Sequence, residues 1–113
     1  MHDHILRDAE IKAFLNMSAG RRQISERTKN RMLQVWLQMR EAGGEAVMHP
    51  DVSILPGDGV HMAVSCGRTR GLELTVRGDG TVRICGAGET WLLGPEDSVP
   101  QPPLSILFPP PKK

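Results

Sequence analysis

The sequence predicts an α+β domain: two N-terminal helices packed on one face of a three- to five-stranded antiparallel β-meander, followed by an extended, proline-rich C-terminal tail. Apolar residues recur at helical spacing up to residue 44, and from Val47 they alternate with polar residues. Seven of the nine prolines fall in residues 94–113. Residues 1–93 are therefore interpreted as one domain, helical over 1–44 and a sheet over 45–93, and residues 94–113 as the proline-rich tail.

The helical part contains two segments. Asp3 can cap a first helix of about residues 4–17, whose apolar residues cover most of its circumference and indicate packing on two sides. Ser25 can cap a second helix of about residues 26–42, which Gly43 and Gly44 end. The apolar stripe of this second helix consists of Met32, Val35, Trp36 and Met39.

Alternating residues predict strands over 60–66, 72–76 and 82–84, with 90–93 as a further strand and 52–55 as a short edge strand. Because the apolar faces must coincide, the register follows from parity. A loop of Gly78-Asp79-Gly80 sets Val76 opposite Val82 and Leu74 opposite Ile84, and a loop of Arg68-Thr69-Arg70 sets Cys66 opposite Leu72 and Val64 opposite Leu74.

The tripeptide Arg77-Gly78-Asp79 matches an adhesion motif, but it falls where the strand pattern requires a hairpin turn. We therefore interpret it as a turn. Parity also places Cys66 on the core face and Cys85 on the other, so no disulfide between them is expected.

The N-terminus lacks the pattern of a signal peptide, and no apolar run approaches the ~20 residues that span a bilayer. We expect a cytoplasmic protein with free thiols. A net charge of +1 is too small to attract the protein as a whole to nucleic acid or to a membrane surface.

The sequence contains few residue patterns typical of catalytic or metal-binding sites. No CxxC, HxxxH or HExxH spacing predicts a metal site, and no GxSxG or phosphate-binding glycine loop occurs. The best catalytic constellation is His61 with Cys85 and Glu73, where parity places Glu73 opposite Cys85. A solvated sheet face with a spare thiol is the favoured interpretation. We expect neither an enzyme nor a cofactor or metal.

Two surfaces are predicted to contact a partner. One is the basic face of the second helix and the turn before it, and the other is the apolar segment of the proline-rich tail, which docks on its own sheet, on a twin subunit or on a partner. The outer sheet face and its edge strands, open to augmentation, are a further possibility. The residues of the two surfaces are Arg21, Arg22, Arg27 and Arg31, and Leu104, Ile106, Leu107 and Phe108.

Trp36-Leu37, the entry at Pro50, the turn at 57–59 and the segment LELTVRGDGTVRI resemble small uncharacterised bacterial proteins carried on phages or mobile elements. The resemblance covers about residues 31–86 and carries over no catalytic residue. It implies a small accessory protein that works by binding another protein, such as an anti-CRISPR inhibitor of a host defence complex or a component of a toxin–antitoxin pair.

The function predicted from the sequence is a non-enzymatic protein-binding module that masks or holds a protein partner, acting as a homodimer. The alternative is a regulator that contacts nucleic acid through the basic face of the second helix, where Lys29 and Arg40 add to the arginines.

Overall fold

The computed structural model describes residues 2–67 and 70–109, except for the side chains of residues 2–7 and 70. The described helices and strands follow one another along the chain as α1 (His2–Gly20), α2 (Glu26–Gly43), β1 (His49–Leu55), β2 (Gly59–Cys66), β3 (Arg70–Arg77), β4 (Val82–Gly86), β5 (Glu89–Leu93) and α3 (Gln101–Leu107). The strands form one five-stranded antiparallel sheet in the order β1-β2-β3-β4-β5. The predicted α+β class is confirmed. Within the described residues, no helix has both the length and the apolar character needed to span a membrane.

Helix α2 begins at the predicted cap, since the Ser25 hydroxyl accepts a hydrogen bond from the Thr28 N–H. It ends where Gly44 adopts a φ of 60°. Its predicted apolar stripe is buried, but the buried face is wider than the stripe and includes Thr28 and Arg31. Arg31 was expected on the exposed face. It is buried because residue 31 lies one turn before Val35 and so adjoins the stripe.

Helix α1 packs against α2 and β1. The predicted packing partners, the sheet and a neighbouring helix, are therefore confirmed. Ile11, Leu15 and Ser18 are buried, whereas Ala13 is exposed and Met17 is 49% exposed. The expectation that apolar residues around most of the circumference are covered is wrong for this second side, which stays in solvent at the edge of the domain.

The register of the sheet matches the prediction for β3 and β4, where Val76 pairs with Val82 and Leu74 with Ile84. Between β2 and β3 the predicted faces are right but the pairing is shifted by two residues. Val64 pairs with Leu72, and Cys66 with Arg70, so Arg70 belongs to the strand instead of the loop. A shift of two residues keeps every side chain on its face, so the apolar pattern alone does not distinguish these registers.

The predicted extended tail contains a helix. Pro102 and Pro103 lie in the first turn of α3, where a missing N–H costs no intrahelical bond. The helix packs on β3, β4 and α2, and Leu104 and Leu107 are buried in the same core as the other helices. Phe108 then lies over Gly43, where a β-carbon would come within 2.6 Å of its ring. The apolar segment therefore docks on its own domain.

Candidate functional site

The outer face of the sheet is the side opposite the helices. All three helices pack toward the inner face, which holds the buried side chains of β2, β3 and β4. On the outer face, one row of paired residues crosses the whole sheet from Asp51 on β1 through Ala63, Glu73 and Cys85 to Thr90 on β5. Their side chains are exposed or half-buried. This face is thus open to a ligand.

A groove of about 710 Å³ lies on this outer face. Small side chains and glycines line it at Ala63, Ser65 and Gly71, and so leave a depression between longer neighbours. The acidic residues Asp51, Glu73 and Glu89 also line it, whereas the described lining residues include neither Lys nor Arg. We call this depression the acidic groove. Its negative charge favours a cationic ligand.

Of the predicted catalytic constellation, Glu73 and Cys85 line the acidic groove, whereas His61 is not among the described lining residues. Glu73 pairs with Cys85, as predicted, and His61 Nε2 lies 3.2 Å from Glu73 Oε1. The Cys85 Sγ lies 3.6 Å from Thr90 Oγ1 on the neighbouring strand. His61 and Cys85 are on β2 and β4, two strand spacings or about 10 Å apart. The imidazole contacts Glu73 and the thiol contacts Thr90, and neither contact is the thiolate–imidazole pair that nucleophilic catalysis needs.

The predicted basic residues separate into exposed and buried ones. Arg21, Arg22 and Arg27 are exposed, at the turn between α1 and α2 and in the first turn of α2. Arg31 is 5% exposed and is part of the fold. Its Nε donates to the Gly80 carbonyl at 2.9 Å, and one terminal nitrogen donates to the Gly94 and Asp97 carbonyls at 2.7 and 2.8 Å.

These bonds make Arg31 a clamp between α2, the β3–β4 turn and the segment after β5. Burial lowers the pKa of the Arg31 guanidinium, an effect that the nearby Asp97 carboxylate partly offsets. Its remaining terminal nitrogen donates to Gln34 Oε1 at 2.9 Å. Four of the five N–H groups of the guanidinium thus bond within the domain, and Arg31 does not lie on the exposed face of α2 where the sequence pattern placed it. Its role in binding a partner stays a prediction.

The predicted apolar contact residues also belong to the domain. Leu104 and Leu107 are 7% and 1% exposed, and Ile106 and Phe108 are partly buried against the same core. In the folded protein, these side chains cover the end of the sheet where β3 begins and β4 ends, next to Gly86. Their role in binding a partner stays a prediction.

Three residues of the acidic groove were missed from the sequence. The predicted edge strand covers residues 52–55 and so leaves out His49 and Asp51. The predicted strand over 90–93 likewise leaves out Glu89. The alternation continues through His49, Asp51 and Ser53 and could have placed the first two on the outer face. Glu89 is brought to the groove by the two-residue turn at Ala87 and Gly88.

A fourth missed residue is Asp58, in the β1–β2 turn. Its Oδ1 accepts hydrogen bonds from the Ser25 N–H at 2.8 Å and from the Thr28 hydroxyl at 2.9 Å. These bonds, that of Ser25 first, hold the pKa of Asp58 below its ordinary value. The turn sequence Gly57-Asp58-Gly59 signals a bend but not its contact with α2.

Comparison of the chain with protein-family models, curated proteins and solved structures gave no match. Among the described residues, no three His, Cys, Asp or Glu side chains are grouped so that they could hold a metal ion.

Proposed function

We propose that the protein is a non-enzymatic protein-binding domain that holds an extended, positively charged segment of a partner protein in the acidic groove. The observation that carries this proposal is an uncovered sheet face whose groove combines a floor of small residues with the carboxylates of Asp51, Glu73 and Glu89. Small residues admit a main chain close to the sheet. The carboxylates supply the charge that selects it.

The spacing of two carboxylates suggests the pattern of the ligand. Asp51 and Glu73 belong to the same row and are separated by the single strand β2, which sets them about 10 Å apart. A polyproline II segment has three residues per turn and advances about 3.1 Å per residue, so every third side chain lies on the same side at about that spacing. A segment with Lys or Arg at every third position therefore matches the groove.

The first experiment is a calorimetric titration with a nine-residue peptide that has Lys at every third position, compared with the same peptide carrying Glu. We expect only the Lys peptide to bind, and we expect added salt to weaken binding. Changing Glu73→Lys should weaken binding by about tenfold or more because it reverses the charge at the centre of the row.

The matched control is Glu41→Lys, which makes the same charge change at an exposed position on α2. Net charge changes equally in both variants, so a general electrostatic effect would weaken both to the same extent. Equal weakening, or binding that Glu73→Lys leaves unchanged, would contradict the groove as the site.

The alternative function, nucleic-acid contact, is supported by the exposed side chains of Arg21, Arg22 and Arg27. It is tested with labelled duplex DNA and RNA at low and moderate salt. Arg27→Glu should abolish such binding, whereas Glu73→Lys should leave it intact. Arg31→Glu does not test this alternative, because it would place an unpaired charge among the carbonyls of Gly80, Gly94 and Asp97.

We further propose, from the resemblance to phage-borne bacterial proteins, that binding masks or holds the partner, as an anti-CRISPR inhibitor or a toxin–antitoxin component does. The test is a tagged pulldown from bacterial lysate after nuclease treatment. A partner retained by the wild type and by Glu41→Lys, but lost with Glu73→Lys, would support the proposal. A partner retained equally by all three would contradict it.

A further inference from the structure

The two edges of the sheet differ in how they are protected. Strand β1 includes Pro50, which has no N–H, carries the charge of Asp51 and is packed by α1. Such features block the addition of another strand. Strand β5, at the opposite edge, has the sequence Glu89-Thr90-Trp91-Leu92-Leu93, with no Pro, Lys or Arg. Leu92 is 78% exposed on it. The edge of β5 is thus the unprotected one.

The turn before β5 determines which of its backbone groups are free. Ala87 and Gly88 both have positive φ, 52° and 78°, which is the type I′ geometry of a two-residue hairpin. Such a turn joins Gly86 and Glu89 as a hydrogen-bonded pair. Because hydrogen-bonded and non-bonded pairs alternate, Trp91 also bonds to β4. The N–H and C=O groups of Thr90 and Leu92 therefore point away from the sheet.

We propose that β5 pairs antiparallel with β5 of a second copy of this chain, joining two sheets into one of ten strands about a two-fold axis. If the inner faces of the two sheets lie on the same side, the possible registers differ from one another by two residues. One of them centres on Trp91 and sets Thr90 opposite Leu92 of the partner subunit. It uses all four free groups of each strand, as two hydrogen-bonded pairs.

A register centred on Leu92 is disfavoured by groups already in use. It would need the N–H and C=O of Gly94, opposite Thr90 of the partner subunit. The Gly94 N–H donates to Asp97 Oδ2 at 2.7 Å, and the Gly94 carbonyl accepts from Arg31. In the register centred on Trp91, Glu89 lies opposite Leu93 of the partner subunit, so no like charges meet there.

The pairing would also extend the acidic groove. Thr90 lines that groove and ends the row that begins at Asp51. In the dimer the row continues to Leu92 of the partner subunit, because a two-fold axis perpendicular to the sheet keeps both outer faces on the same side. The exposed Leu92 is then covered, and each groove gains an apolar wall from the other copy.

The test is sedimentation velocity over a range of protein concentrations for the wild type, for Leu92→Lys and for the matched control Ser53→Lys. Ser53 lies on the outer face of β1, in the same row as Leu92 but at the opposite edge. We expect a concentration-dependent dimer whose dissociation constant rises about tenfold or more with Leu92→Lys and stays unchanged with Ser53→Lys. Circular dichroism checks that each variant is folded.

Amide exchange measured by NMR tests the register independently. The N–H groups of Thr90 and Leu92 should gain protection as the concentration rises, while that of Trp91 stays protected at every concentration because it bonds to β4. A wild type that is monomeric throughout, or a dimer that Leu92→Lys and Ser53→Lys weaken equally, would overturn the proposal. So would protection that leaves Thr90 and Leu92 unchanged on dimerisation.

Discussion

The two faces of the sheet are built from the same five strands but differ in what covers them. On the inner face, side chains such as Val60, Met62, Leu74 and Ile84 are fully buried beneath the three helices. On the outer face, sequence neighbours such as His61, Ala63, Glu73 and Cys85 are exposed or half-buried. Along each strand, residues that pack in the core therefore alternate with residues that form the outer surface. Substitutions on the inner face should change the free energy of unfolding, and those on the outer face should change binding.

Polarity does not by itself divide the two faces. Arg31 belongs to the covered side, where its charged group is engaged with three backbone carbonyls. Leu92 belongs to the open side, although it is apolar. A side chain, polar or apolar, belongs to the covered side when its neighbours bury it and form the hydrogen bonds that its polar groups need.

The largest effect on stability should come from Arg31→Met, which removes the clamp and leaves the carbonyls of Gly80, Gly94 and Asp97 without their donor. We expect the free energy of unfolding to fall by roughly 3–5 kcal/mol. Arg27→Met, on the exposed side of the same helix, should change it by less than about 0.5 kcal/mol. Urea unfolding followed by circular dichroism measures both. Equal losses of unfolding free energy in the two variants would show that the hydrogen bonds of Arg31 do not add to stability.

A smaller loss is expected from Leu107→Ala in α3. The side chain is 1% exposed, so its removal leaves a cavity and should cost about 3 kcal/mol of unfolding free energy. Leu92→Ala deletes the same atoms from the open side and should cost less than about 0.5 kcal/mol at concentrations where the chain is monomeric. Thermal unfolding at low concentration compares the pair. A negligible loss for Leu107→Ala would mean that α3 is not docked in solution.

The smallest of these effects concerns Asp58, which joins the β1–β2 turn to the start of α2. Asp58→Asn removes the charge, while Asn also tolerates the positive φ of 61° at this position. We expect a loss of about 0.5–1 kcal/mol at neutral pH, reduced by solvent screening of a partly exposed group.

The pH dependence of the unfolding free energy shows in which pH range the Asp58 carboxylate stabilises the fold. Because the folded-state pKa of Asp58 is lowered from its ordinary value of 3.8, the carboxylate stabilises the fold above that value. The stabilisation is lost as the pH falls through the lowered pKa. Urea unfolding from pH 7 to pH 2.5 should therefore show the wild type and Asp58→Asn converging in acid. A constant difference between them would contradict the assignment.

Local patterns predicted the elements that depend on neighbouring residues. The Ser25 cap, the apolar stripe of α2, the alternation of the strands and the turn at Gly78-Asp79-Gly80 each depend on a few adjacent positions. The same alternation placed His61, Glu73 and Cys85 on one outer face, which is part of the candidate site. The pairing of Glu73 with Cys85 followed from parity alone.

Other features depend on residues far apart in the sequence. The helix within the proline-rich tail forms where Leu104 and Leu107 find the uncovered end of the sheet. The shift of two residues between β2 and β3 leaves every face unchanged, so no local signal reports it. The acidic groove likewise needs Asp51 and Glu89 from opposite edges of the sheet.

The sequence by itself determined the class of this protein, its two N-terminal helices, its strands and the faces of those strands, because periodicity and capping act over a few residues. Only the tertiary structure decided that Arg31 is a buried clamp, that the tail completes the core and that acidic residues from β1, β3 and β5 line one groove. Each of these depends on contacts between segments far apart in the sequence, up to 66 residues for Arg31 and Asp97, for which helical and strand periodicity carry no information.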